Sequence, residues 1–240
     1  MADELRALYS KEYISHIAHC LKEEGDVNPQ EFIAFILASP WEELALKQRM
    51  ARLTDGLDHF LTGSYSDDLS ILKRLLPRIS GDVQKYADML SMFVPDFTVV
   101  KGLNDVDQSL EALVYFTAHG TSSEFAIRPF IKRDAEKVMT RMLDWASHPD
   151  PNVRRFASEG CRPRLPWAMA LPDFKKDPSL ILPILEKLRT DDSKFVQKSV
   201  ANNLNDIAKD NPDIVLNFAD KWLAKIKTPI GSSNTDVGHF

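Results

Sequence analysis

The sequence predicts an all-α protein built as a solenoid of stacked helices, and three observations carry that reading. Apolar residues recur at helical spacing from the start of the chain, as at Leu5, Leu8, Tyr13, Ile17 and Leu21. Strand signals are nearly absent: the chain holds nine glycines, no Asn-Gly hairpin turn, and one short β-rich run from Phe97 to Val100. A weak internal repeat matches Met142, Trp145, Val153, Arg155 and Ala157 with Leu185, Leu188, Val196, Lys198 and Val200, all at a spacing of 43. That period lies in the range of HEAT-type repeats, whose helices stack into a curved superhelix with a concave groove.

Taken in order, each helix has a physical start. Asn28-Pro29 supplies a cap and a first-turn proline for a helix through Phe32, Phe35, Ile36 and Leu37. Ser39-Pro40 repeats the device ahead of Trp41, Leu44 and the run to Leu61. Asp67-Asp68 and Gly81-Asp82 place acids where a helix dipole is positive, ahead of Leu69 and of Val83. Further helices are predicted at 109–119, 134–147, 153–160, 178–189, 194–209 and 212–225, for eleven or twelve helices in consecutive antiparallel pairs. Residues 1–227 read as a single helical-repeat domain and 228–240 as a short polar tail.

With 44% apolar residues the chain has the composition of a globular protein. It contains no run of about 18 apolar residues, and MADELRALYSKEY has neither a basic leader nor an apolar signal core, so a soluble cytoplasmic protein is expected. Cys20 and Cys161 lie far apart and are expected to stay reduced. The net charge of −5 argues at first against a nucleic-acid partner, but it is unevenly spread. Residues 1–120 hold 11 Lys and Arg against 19 Asp and Glu, whereas residues 121–240 hold 19 against 16. Between 151 and 176 six basic residues face two acidic ones, which would suit a local anion-binding face or a solvated mixed surface.

The repeat sorts residues by helix face. Val196, Val200, Leu204 and Ile207 share one side, and Lys198, Asn202 and Asp206 are assigned to the other. One repeat earlier, Val153, Ala157 and Gly160 take the buried side and leave Arg155 and Glu159 opposite. The expectation is one polar strip of Arg155, Glu159, Lys198, Asn202 and Asp206, against a bland reading in which Arg155 and Glu159 form an exposed pair of little energetic weight.

The strip continues into CRPRLPW, where Pro163, Pro166 and Pro172 break helical pairing. Trp167 on this connector, flanked by Arg162 and Arg164, suits stacking on a base or sugar beside phosphates; the alternative is a core tryptophan that fixes the loop. Glu124, after Thr121-Ser122-Ser123, reads first as a carboxylate in the first turn of a capped helix. No P-loop, dinucleotide fingerprint, nucleophile elbow or paired-cysteine zinc pattern occurs, and His16, His19 and Cys20 lack further ligands, so neither metal nor cofactor is expected.

Four segments resemble the AlkC branch of the AlkC/AlkD superfamily of alkylpurine DNA glycosylases: WEELALKQRMARL, TSSEFAIRPFI, VRRFASEGCRPRLPW and KSVANNLNDIAKDNPD. The resemblance implies HEAT-like repeats around a concave DNA-binding groove, and hydrolysis of the N-glycosidic bond of cationic bases such as 3-methyladenine and 3-methylcytosine in duplex DNA. It implies catalytic roles for Glu124, Glu159 and Asp206, and DNA or substrate contacts by Arg155, Trp167, Arg162 and Arg164; Lys198, on the same strip, is expected to join the DNA contacts. A groove formed by one chain needs no protein partner, so a monomer without membrane contact is expected. AlkC-like proteins sometimes carry an additional C-terminal immunoglobulin-like domain, which this chain is expected to lack.

Overall fold

A row of five helices, each packed on the next, runs through the computed structural model, which describes residues 6–80 and 87–227. The row consists of α1 (Lys11–Gly25), α4 (Tyr65–Ser80), α7 (Val106–Ala118), α10 (Pro151–Glu159) and α13 (Lys194–Ala208). Between them lie α2 (Pro29–Leu37), α3 (Leu46–Phe60), α5 (Ala87–Leu90), α6 (Phe93–Lys101), α8 (Ile127–Arg133), α9 (Ala135–Trp145), α11 (Pro172–Lys176) and α12 (Leu182–Leu188), and α14 (Pro212–Lys227) follows. No strand occurs among the described residues. The stacking unit advances by three helices rather than by the expected pair, because a short helix such as α5, α8 or α11 intervenes in most units. The starts of α7, α10 and α13 lie 45 and 43 residues apart, in keeping with the repeat.

Most helix starts follow from local chemistry. The side chain of Asn28 accepts hydrogen bonds from the Gln30 and Glu31 amides, with Pro29 at the first helical position. Asp134 caps α9 through the Lys137 amide, and Asp150 caps α10 through the Asn152 amide ahead of Pro151. Ser39-Pro40 behaves differently from expectation: its peptide bond is cis, Trp41–Glu43 forms a single 3-10 turn, and α3 begins only at Leu46. The β-rich run Phe97 to Val100 lies inside α6, where packing against α3 and α7 overrides local propensity. The start expected at Gly81-Asp82 and the tail at 228–240 fall outside the described residues.

Two apolar cores fill the molecule, and α7 is their shared wall. Ala112 and Phe116 face the front core with Leu21, Phe32 and Phe97, while Leu110 and Leu113 face the back core with Phe130, Phe156 and Val196. The back core sets the spacing of α10 and α13, on which the candidate site is built. Gly160 permits close packing there: an added Cβ would meet Ile127 Cγ2 at 2.9 Å and the Phe156 carbonyl at 3.0 Å. No helix among the described residues is long and apolar enough to cross a membrane.

Candidate active site

Three acids from separate segments are drawn into one network. Glu124 lies in the turn before α8, Glu159 ends α10, and Asp206 projects from α13; they are 3%, 5% and 2% exposed. Arg155, half-buried on α10, donates to Glu124 and lies 3.7 Å from Glu159 Oε1. Arg162, just beyond α10, donates through Nη1 to Glu159 Oε1 at 2.7 Å and through Nε to Asp206 Oδ2 at 2.9 Å. Acids and arginines therefore alternate, so each buried carboxylate faces an opposite charge, which burial requires.

The remaining oxygens are also engaged. Ser122 donates to Glu124 Oε2. Ser199 donates to Glu159 Oε2 at 2.6 Å, and Lys209 donates to Asp206 Oδ1 at 3.0 Å. These partners differ in exposure: the Lys209 side chain is 59% exposed, whereas Ser199 is buried. Asn203 braces the same seam by donating to the Ser158 carbonyl at 2.7 Å. Burial opposes the charge of Arg162, but the Glu159 and Asp206 carboxylates outweigh it and raise its pKa above the ordinary guanidinium value.

The expected strip is thus corrected in its face and its members. Asp206 points into the α10–α13 seam with Ser199 and Asn203, while Lys198 is exposed and Asn202 sits at the margin. The physical reason is that Ser199, Asn203 and Asp206 follow a spacing that keeps them on one side of α13, next to the end of α10. Arg162 and Arg164 are committed to carboxylates rather than held free for phosphate. Arg162 is 9% exposed and bridges two acids, and Arg164 pairs with Asp210 at 2.6 Å.

Aromatic and basic groups surround the buried acids. Trp167 is 46% exposed and has a left-handed backbone (φ 65°), on a connector without helical structure. Phe195 is 49% exposed, and the Arg155 guanidinium lies 4.5 Å from its ring centroid, a cation–π distance. Phe195, Arg155, Glu124, Asn152 and Ser122 line a cavity of about 80 Å³ that opens onto the network. A more open cavity of about 490 Å³ lies beside Arg154, Asp191 and Asp192 and contains none of the three acids. Its Arg154 is already paired with both aspartates, so that cavity offers no free cation from this side chain. Among the described residues no group of three or more His, Cys, Asp or Glu side chains could hold a metal ion.

Sequence reasoning missed Ser122, Ser199, Asn203 and Lys209, which complete the network, and Phe195, which stacks on Arg155. For Ser199 and Asn203 a signal was present in their spacing from Asp206. Ser122 and Lys209 also lie close in sequence to Glu124 and Asp206, whereas Arg155 and Arg162 reach those two acids only through tertiary packing.

Comparison with known proteins bears on this arrangement. A family model described as DNA alkylation repair enzyme matches residues 116–232, a span that contains every candidate residue above. The solved structure of Pseudomonas fluorescens alkylpurine DNA glycosylase AlkC, bound to DNA containing an abasic site analog, matches with a TM-score of 0.84 and 36% identity. The chain resembles the AlkC/AlkD superfamily in sequence and fold. The uncharacterized protein YhaZ of Bacillus subtilis (strain 168) is 43% identical over 223 residues. The AlkC and YhaZ matches each cover 92% of this chain and 60% of the relative, so the chain spans about three fifths of the length of those two proteins.

Proposed function

We propose that the chain is a DNA glycosylase that hydrolyses the N-glycosidic bond of cationic, N-alkylated bases such as 3-methyladenine and 3-methylcytosine. The observation that carries this reading is the convergence of Glu124, Glu159 and Asp206 through Arg155 and Arg162, in a chain that resembles this superfamily. Alkylation makes the base a good leaving group, so the protein chiefly has to stabilise an oxocarbenium-like sugar and position a water. Carboxylates suit both tasks.

Asp206 takes the central role. Its Oδ1 is held by Lys209, the exposed one of its two cations, which can move away without emptying a buried position while Arg162 stays on Oδ2. A phosphate can attract Lys209 away and leave Oδ1 for the sugar cation or water. Glu124 helps hold lesion and water, and Glu159 orients Arg155 and Arg162. Trp167 packs on the lesioned nucleotide, while Lys198 on α13, Lys209 just past its end and the exposed edges of Arg155 and Arg164 supply the phosphate contacts. The partner is duplex DNA, bound by one helical-repeat domain acting as a monomer.

One observation favours a second reading, a helical-repeat scaffold without catalysis: all six carboxylate oxygens already have partners within the protein. Base release from a duplex containing 3-methyladenine or 3-methylcytosine separates the two. The glycosylase reading requires release by the wild type and its loss in Asp206→Asn; a scaffold binds DNA and releases nothing.

A further inference from the structure

The segment Trp41 to Leu53 lies outside the network just described, yet one of its residues reaches the candidate site. Lys47, exposed on α3, donates to the backbone carbonyl of Trp167 at 2.7 Å across 120 residues of sequence, and its ammonium lies 5.7 Å from the Phe125 ring centroid. A second cation grips the same connector. Arg128 on α8, fully buried, donates through Nε to the Met169 carbonyl at 2.6 Å and through Nη1 to the Gly160 carbonyl at 2.9 Å. It therefore ties together both ends of the stretch that carries Trp167.

We propose that Lys47 and Arg128 are positioning residues that hold the Trp167 connector in its working conformation. Three features support the assignment. A left-handed backbone is costly for tryptophan and persists only where surrounding contacts over-determine it. The Trp167 side chain is too exposed for its own burial to supply that constraint. The two cations instead spend their hydrogen bonds on backbone carbonyls, which leaves the indole free while fixing where it points. Arg128 forms the buried anchor, and Lys47 forms the outer tie that joins the connector to the front of the molecule.

The inference rests on the glycosylase reading for its catalytic consequence but not for its geometry, and the experiment keeps the two apart. Lys47 is varied rather than Arg128, because an exposed lysine can be replaced without emptying a buried site. The full chain is labelled with 5-fluorotryptophan, and the Trp167 resonance is assigned by its absence in Trp167→Phe. Lys47→Met is expected to shift or broaden the Trp167 resonance while leaving the other three tryptophans unchanged, and Lys47→Arg to restore it. At saturating enzyme, base release from a 3-methyladenine duplex is expected to fall between about 10-fold and 100-fold in Lys47→Met, the scale set by misplacing a positioned group, and to recover in Lys47→Arg. An unmoved Trp167 resonance in Lys47→Met overturns the proposal. So does a loss of release that disappears at saturation, which would make Lys47 a phosphate contact. If the wild type releases no base, the glycosylase reading fails, and the resonance alone decides the clamp.

Discussion

Replacing Arg162 and replacing Arg164 with methionine should have very different consequences, although the two residues are separated only by Pro163. Arg162 is 9% exposed and serves Glu159 and Asp206 together. Its removal leaves two buried carboxylates short of a cation, and breaking a buried pair from one side costs about 3–5 kcal/mol. That is a large fraction of the roughly 5–15 kcal/mol by which a domain is stable. Arg164 has a side chain 36% exposed and pairs with Asp210, itself partly exposed, so its loss should cost about 0–1 kcal/mol. Urea unfolding at pH 7.5 measures both. Equal, sub-kilocalorie effects for the two variants would refute the account of the network.

Asp96, on α6, gives a pH test. It retains some accessible surface, but its carboxyl sits among packed atoms, and that burial pushes its pKa up to about 6 despite the opposing pull of Lys47. A carboxyl near 3.9 in the unfolded chain and about 6 in the folded one makes folding take up protons between those values, so its contribution lowers stability as pH rises from about 4 to 6. Asp96→Asn should therefore stabilise the protein by about 1–3 kcal/mol at pH 7.5 and by much less at pH 4 in urea titrations, and a flat difference would contradict this. Trp167→Gly removes an exposed indole from a left-handed backbone position, so the melting temperature should hold or rise slightly while base release falls. Gly160→Ala should cost about 1–3 kcal/mol in the same unfolding measurement, because its Cβ would press on Ile127 and the Phe156 carbonyl. Cys161, fully buried with its thiol pushed up to about 12, should resist alkylating reagents until the chain unfolds, as mass spectrometry of labelled protein would report.

Most of the longer helices were legible because their signals are local, whereas the short α8 and α11 were not read. The caps at Asn28, Asp134 and Asp150 and the prolines behind the first and last act within one turn, and the 43-residue repeat reflects stacking that every unit shares. The cis Ser39-Pro40 bond and the delayed start of α3 were not, since tertiary packing selects the isomer. The site divided along the same line. Around α13, at about 100° per residue, Asp206 lies about 20° from Ser199 but about 80° from Lys198. Sorting by apolar residues hid this, because Ser199 and Asn203 are small and polar and do not mark a face as buried. The pairing of Arg162 with Glu159 is an i,i+3 contact, but its pairing with Asp206 was beyond any local pattern. Whether an arginine meets phosphate or carboxylate depends on what the next repeat places opposite it, and here that is Asp206.

Single-turnover release of free base from a duplex carrying one 3-methyladenine, with wild type beside Asp206→Asn, tests the central claim most directly. The account predicts release by the wild type and a loss of at least about 100-fold in the variant, the scale of removing one electrostatic transition-state contact, with affinity for undamaged duplex retained. Release that is absent in the wild type, or undiminished in Asp206→Asn, would contradict it.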